Sequence, residues 1–162
     1  MACNKQIIIV EDSREQTPLS FDGFRGVDSM RSGLKTGDYS IQGYEDQICF
    51  ERKSIPDLIS TLSAGHERFL REIERMKTYE ESYILIEHTA SIACHYCDRH
   101  GWTAKYDTAI QSLFAYAFHC PLRVVFCKNR EYMAKYIVKK SREFLKKKGE
   151  NNGPDKTKSQ TD

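Results

Sequence analysis

The sequence predicts an α/β domain in which strands alternate with helices. Three observations carry that prediction. Residues 7–10, 83–87 and 123–127 are short apolar runs rich in β-branched side chains, the composition of buried strands. Between and after them, apolar residues recur at helical spacing: Phe69, Leu70, Ile73 and Met76 in one segment, Met133, Tyr136, Ile137 and Phe144 in another. Residues 38–42 and 47–53 have strand character and meet at Gly43, which predicts a hairpin.

Each element follows from local chemistry. The run Ile7-Ile8-Ile9-Val10 predicts a buried central strand. Asp12-Ser13-Arg14-Glu15 follows at its C-terminal end, where ligand sites of α/β sheets tend to lie. Residues 16–26, with Pro18, Gly23 and two phenylalanines, predict a loop, and residues 27–34 a strand. Ser54 caps a helix with Pro56 and Asp57 in its first turn, reaching about Ser63 before Gly65 breaks it. A second helix covers 66–79. Residues 88–104 are polar and aromatic and predict an irregular loop. Residues 108–118, rich in Ala, Leu and Phe, predict a well-buried helix. Asn129 caps a long basic amphipathic helix that reaches about Lys147. Residues 149–162 carry no apolar side chain to bury and predict a disordered polar tail, which leaves 1–148 as one domain.

At 162 residues, 40% hydrophobic and 30% charged, the chain has the composition of a soluble globular protein. No apolar run approaches the roughly 18 residues of a membrane span, and residues 7–10 are too few for a signal peptide's apolar core. Of the six cysteines, Cys49 and Cys127 lie in apolar strand-like runs. That suits buried thiols in a reducing compartment, and an intracellular protein is expected. Charge is unevenly placed. Residues 1–127 hold 14 Lys and Arg against 18 Asp and Glu, a net of −4; residues 128–162 hold 11 against 5, a net of +6. An acidic body with a basic end fits a metal site beside a phosphate-backbone contact, although simple solvation accounts for the tail by itself.

The chemistry concentrates in Gly37-Asp38-Tyr39 and Glu51-Arg52-Lys53-Ser54. Along a strand side chains alternate faces, so Glu51 and Lys53 point one way and Arg52 the other. If the two strands pair, Asp38, Glu51 and the Lys53 ammonium converge. Two carboxylates beside an ammonium are the minimum that Mg²⁺- or Mn²⁺-assisted hydrolysis of a phosphate ester requires. Oxygen ligands hold a hard cation that keeps several waters, and a nearby cation steadies charge developing on phosphorus.

Taken in order, Asp12-Ser13-Arg14-Glu15, Gly37-Asp38-Tyr39 and Glu51-Arg52-Lys53 with Asp57 resemble the nuclease domain of the XPF-type structure-specific endonucleases, whose pattern is GDx(n)ERKxxxD. The resemblance spans about residues 5–147. It implies a restriction-endonuclease-like mixed β-sheet flanked by helices, in a compact stand-alone version without helicase or helix-hairpin-helix modules. It also implies a Mg²⁺- or Mn²⁺-dependent endonuclease acting on branched or flap-like DNA. Asp12, Asp38 and Glu51 would be metal ligands and Lys53 the catalytic cation; Arg14, Glu15, Arg52 and Asp57 would line or buttress the site. For Arg14 and Glu15 a mutual salt bridge is an equal reading. The family also includes catalytically inert partners that hold DNA and dimerise, and the site by itself does not exclude RNA.

Further contacts are expected on the surface. Arg68, Arg71 and Arg75 could track phosphates, or could pair with Glu67, Glu72 and Glu74 as a solvated face. Cys94-His95-Tyr96-Cys97 supplies one CxxC where structural zinc takes two ligand pairs, so Tyr96, Arg99 and Trp102 are read as nucleic-acid contacts or plain surface. On the last helix, Lys139, Lys140 and Arg142 would face DNA phosphates. A homodimer is expected, with the apolar face of that helix and the aromatic helix at 108–118 as candidate surfaces.

Overall fold

The computed structural model describes residues 6–61 and 65–151. Six strands form one sheet: β1 (Ile7–Asp12), β2 (Val27–Ser32), β3 (Tyr39–Ile41), β4 (Ile48–Lys53), β5 (Glu81–Glu87) and β6 (Leu122–Cys127). Their order is β2-β1-β3-β4-β5-β6. β2 lies parallel to β1, β3 is antiparallel to β1 and β4, and β5 and β6 continue parallel to β4. The sheet is therefore mixed, as expected. Nearly every residue of β4 and β5 is buried, which is why they read as continuous apolar runs. β2, at the edge, is exposed along five of its six residues.

Helices cover both faces: α1 (Ile55–Ser60), α2 (His66–Met76), α3 (Ala90–Arg99), α4 (Thr103–Phe118) and α5 (Arg130–Asn151). One core joins Ile9, Tyr39, Phe50, Tyr83 and Leu85 to Met133, Ile137, Val138 and Phe144 of α5. Leu19 and Phe21 from the 16–26 loop close it, and the Phe50 and Tyr83 rings stack at 4.9 Å. The opposite core joins Cys49, Ile84 and Ile86 to Leu58, Phe69, Ile73, Ala93, Ala109 and Leu113 from the first four helices.

Several expectations are corrected. Residues 88–104 are not irregular: they contain α3 and the start of α4. Thr89 caps α3 by accepting from the Ile92 N–H at 3.3 Å, and only Ala93 and Cys97 are buried on it. Two small side chains make too narrow a stripe to announce a helix. α4 starts at Thr103 and is only partly buried, with Phe114 49% and Phe118 86% exposed. The apolar face of α5 is used inside this molecule, because Met133, Ile137 and Phe144 are core residues, so it is not a free dimer surface. β2 ends at Ser32 and α2 at Met76, both earlier than expected. α5 runs to Asn151, past the expected boundary at 148; the rest of the expected tail, 152–162, lies outside the described residues, as does the end of the first helix near Ser63. Cys49, Cys94, Cys97, Cys120 and Cys127 are free thiols. Among the described residues no helix is long and apolar enough to cross a membrane.

Candidate active site

Strand register assembles the site. Tyr39 sits opposite Phe50 in the antiparallel pair, so Asp38, one residue earlier, falls opposite Glu51. Glu11 sits opposite Tyr39, so Asp12 falls opposite Asp38. Backbone bonds hold this row: the Asp12 N–H donates to the Asp38 carbonyl and the Asp38 N–H to the Phe50 carbonyl, both at 2.8 Å. Residues level with one another across a sheet share a face. Asp12, Asp38 and Glu51 therefore form one row beneath α2. Gly37 makes the approach possible. Its φ is +79°, and a Cβ there would stand 3.0 Å from the Phe50 carbonyl oxygen and 3.2 Å from the Cys49 Cβ.

The alternation of faces in Glu51-Arg52-Lys53 is used in full. The Arg52 N–H donates to Asp38 Oδ2 at 2.8 Å and fixes that carboxylate. The Arg52 side chain turns to the other face, where it pairs with Glu15 at 3.2 Å and Glu87 at 3.1 Å and donates to Thr17 Oγ1 at 2.7 Å. Arg130 of α5 extends this web, with 4.0 Å to Glu87 and bonds to the Thr17 and Pro18 carbonyls. Glu15 thus buttresses the site through Arg52, and the alternative of an Arg14–Glu15 salt bridge is not what forms. Arg14 binds Asp12 instead, through its side chain at 2.9 and 2.7 Å and its backbone N–H at 2.7 Å.

On the face of the carboxylate row Lys53 Nζ lies 2.7 Å from Glu51 Oε1 and 3.9 Å from Glu72 Oε2. Burial pushes Glu51 well above the ordinary carboxylate value; Lys53 opposes this, while Asp38 and Glu72 add to it. Burial likewise raises Asp38 to about 6, against the pull of the Arg52 N–H. For Lys53 burial works downward, but Glu51 and Glu72 outweigh it and raise its value. The pair of carboxylates is short of positive charge, and Lys53 is held charged. Asp12 is the reverse case. The Arg14 side-chain bond lowers it to about 2, helped by the N–H groups of Arg14 and Leu34. Its oxygens are already engaged. Accordingly, among the described residues no three His, Cys, Asp or Glu side chains are gathered to hold a metal.

Two cavities meet at Asp38, Glu51 and Lys53, between Arg14 and Arg68. One, about 520 Å³, is lined by Glu15, Gln16, Thr17, Asp57, Ser60 and Thr61. Asp57 reaches it from the first turn of α1, where Ser54 caps by accepting the Asp57 N–H at 3.2 Å. The other, about 260 Å³, is lined by Asp12, Lys35, Thr36, Gly37, Glu72 and Arg75. A cavity of about 570 Å³ between residues 18–24 and the start of α5 contains none of these carboxylates.

Of the expected phosphate contacts, Arg68 and Arg75 reach the site. Arg71 does not line either cavity and pairs with Glu67 at 3.8 Å. Lys139, Lys140 and Arg142 are not brought to it. They lie nine to twelve residues along α5 from Arg130, about 14–18 Å at the helical rise, where Lys140 pairs with Glu143 at 2.7 Å and Arg142 donates to the Arg25 carbonyl at 2.8 Å. Glu72 was missed from sequence because it read as a partner for the α2 arginines. Its place beside Phe69 and Ile73, at the margin of the buried stripe, is the signal that it faces inward.

The ERCC4 domain family model matches residues 10–140. The chain belongs to the ERCC4 domain family. The backbone resembles that of XPF from Aeropyrum pernix, with a TM-score of 0.69, 22% identity, and coverage of 96% of this chain and 69% of that one. A second structure, of XPF from Aeropyrum pernix in complex with DNA, matches at a TM-score of 0.66 and 20% identity, covering 86% of this chain and 66% of that one. This ERCC4 domain thus spans about two thirds of the length of those chains. No curated protein matches the sequence. Family and fold agree with the motif reading, and the restriction-endonuclease-like sheet is the one observed.

Proposed function

We propose that this ERCC4 domain is a divalent-metal-dependent endonuclease that hydrolyses phosphodiester bonds in branched or flap-like DNA. The observation that carries this reading is the pairing of Asp38 with Glu51 beneath a Lys53 held charged between two acids. A buried and a half-buried carboxylate with raised proton affinity are a donor set for a hard cation, and Mg²⁺ or Mn²⁺ fits their oxygen chemistry. Asp38 and Glu51 would hold it, with Asp12 as a further carboxylate once Arg14 yields an oxygen. When bound, such an ion lowers the pKa of a coordinated water and offsets charge on the phosphoryl oxygens.

The chain's own residues do the rest. Lys53 steadies the negative charge that develops as water adds to phosphorus and the sugar oxygen leaves. Arg52 fixes Asp38 through its backbone and ties the site's far side to Glu15 and Glu87 through its side chain. Arg14 and Arg68 flank the place where the two cavities meet and would take the neighbouring backbone. Phe114 and Phe118, exposed on α4, supply the apolar surface for the homodimer that the family resemblance implies.

A panel of flap, fork, nicked, duplex and single-stranded DNA, with Mg²⁺, Mn²⁺ or EDTA, tests the reading. Metal-dependent cuts near the branch support it. Binding without cleavage under any metal would instead make the domain an inert DNA-holding partner.

A further inference from the structure

The two cavities that meet at the carboxylates differ in charge. The larger is lined by hydroxyls and amides together with Glu15 and Asp57, and its arginines are largely committed: Arg14 to Asp12, Arg52 to Glu15 and Glu87. The smaller adds Lys35 and Arg75 beside the acid row. Both are exposed, and neither makes an ion pair among the described residues. Arg75 is nevertheless aimed, because its Nε donates to Thr36 Oγ1 at 3.3 Å and Thr36 is 3% exposed. The Arg75 guanidinium is thereby bound to the residue next to Lys35. The two cations share a cavity of about 260 Å³ with Asp12 and Glu72, space enough for an anion such as a phosphate.

We propose that Lys35 and Arg75, braced by Thr36, form a subsite for one phosphate of the nucleic-acid backbone next to the scissile one. The proposal rests on the nuclease reading of the site and adds a direction to it. The strand on the Lys35 side is held electrostatically, by a charge-assisted bond to a single phosphate. The strand on the Gln16–Thr61 side meets hydroxyls and amides, and every cation there is either shared by both cavities or, as with Arg52, paired with acids. Salt then weakens the two arms unequally, since each neutralised phosphate on duplex DNA contributes about 0.9 to the slope of log affinity against log salt.

The test is a fluorescence-anisotropy salt titration of a labelled forked DNA in EDTA, so that binding is read without cleavage. Wild type, K35Q, R75Q and K35Q/R75Q are compared, with K77Q as a charge-matched control just past the end of α2 and lining neither cavity. Melting curves confirm that each variant is folded. The expected result is a slope lower by about 0.9 in either single variant and no further loss in the double, because the two cations share one phosphate. K77Q keeps the wild-type slope. Unchanged slopes in K35Q and R75Q would overturn the subsite while leaving the nuclease reading intact. A double variant that loses twice as much as either single one would also overturn it, as two separate contacts. Wild type that binds no DNA at low salt would defeat the nuclease reading itself, and the subsite with it.

Discussion

Replacing Asp38 by Asn should make the metal-free protein more stable at neutral pH while abolishing the proposed cleavage. In the folded state burial raises Asp38 from 3.8 to about 6. The native state therefore holds this proton more tightly than the unfolded chain does, and stability falls as pH rises from about 4 to about 6. Above that window the full deficit is present. At about 1.4 kcal/mol per tenfold change in proton affinity it amounts to about 3 kcal/mol, less if Glu51 carries the proton in its place. Asn cannot ionise, and its side-chain oxygen still accepts the Arg52 N–H that Asp38 accepts at 2.8 Å. At pH 8 in EDTA the variant should melt roughly 6–12 °C above wild type, using the 2–4 °C per kcal/mol typical of a chain this size. Near pH 3.5 the difference should vanish. Added Mg²⁺ should raise the wild-type melting temperature and leave the variant nearly unmoved. Melts of both proteins across pH 3.5–8, with and without metal, decide the matter. A variant no more stable than wild type at pH 8 would refute the argument that these carboxylates are held short of positive charge.

Other expectations concern the same row of residues. Glu51→Gln should lower cleavage by orders of magnitude with the fold intact by circular dichroism, and Lys53→Ala should cost about 2.7–4 kcal/mol of transition-state stabilisation; a loss below tenfold would make Lys53 structural. Asp12, held at about 2 by Arg14, contributes stability above its ordinary value that disappears as pH falls from about 4 to 2. Arg14→Gln should therefore flatten the acid limb of the melting curve, and an unaltered limb would contradict the pairing. Gly37→Ala forces a side chain into a left-handed backbone against the Phe50 carbonyl and should destabilise by about 2–4 kcal/mol, read from urea midpoints. Phe118→Ser should shift sedimentation toward monomer if α4 carries the dimer, and an unchanged distribution at tens of micromolar would remove α4 from that role.

The strands were legible because their signal is local. Ile7–Val10 and Tyr83–Ile86 are nearly all buried, alternate faces included, and each is a short continuous apolar run, the pattern of a strand covered on both sides. The Asp38–Glu51–Lys53 grouping was legible because strand alternation and a two-strand pairing suffice to predict it. α3 was hidden because two small buried residues, Ala93 and Cys97, leave no apolar stripe among Cys, His and Tyr. The state of Asp12 was hidden for a different reason. Its carboxylate is held chiefly by the Arg14 side chain, which read equally as a partner for Glu15, and also by the backbone N–H of Leu34, twenty-two residues away, a bond that no spacing in the chain announces. Glu72 and Lys35 needed the third dimension altogether, since α2 and the turn before β3 face each other only once the sheet is built.

β3 is three residues long, yet everything at the centre hangs on its alignment. Side bonds guard that alignment: the Ser40 hydroxyl donates to the Ile48 carbonyl at 2.7 Å, and the Tyr39 hydroxyl accepts the Leu19 N–H at 2.9 Å. Slippage by a single position would turn Asp38 toward α5 and leave Glu51 facing Gly37 or Tyr39. The hairpin tip around Gly43, by contrast, can grow or shrink without disturbing any of these bonds. Length variation among kindred sequences should accordingly be tolerated at Gly43, Glu45 and Asp46, between the anchored Gln42, Tyr44 and Gln47, and forbidden between 37 and 41. A deletion series across residues 37–47, scored by survival of the fold, would draw that line directly.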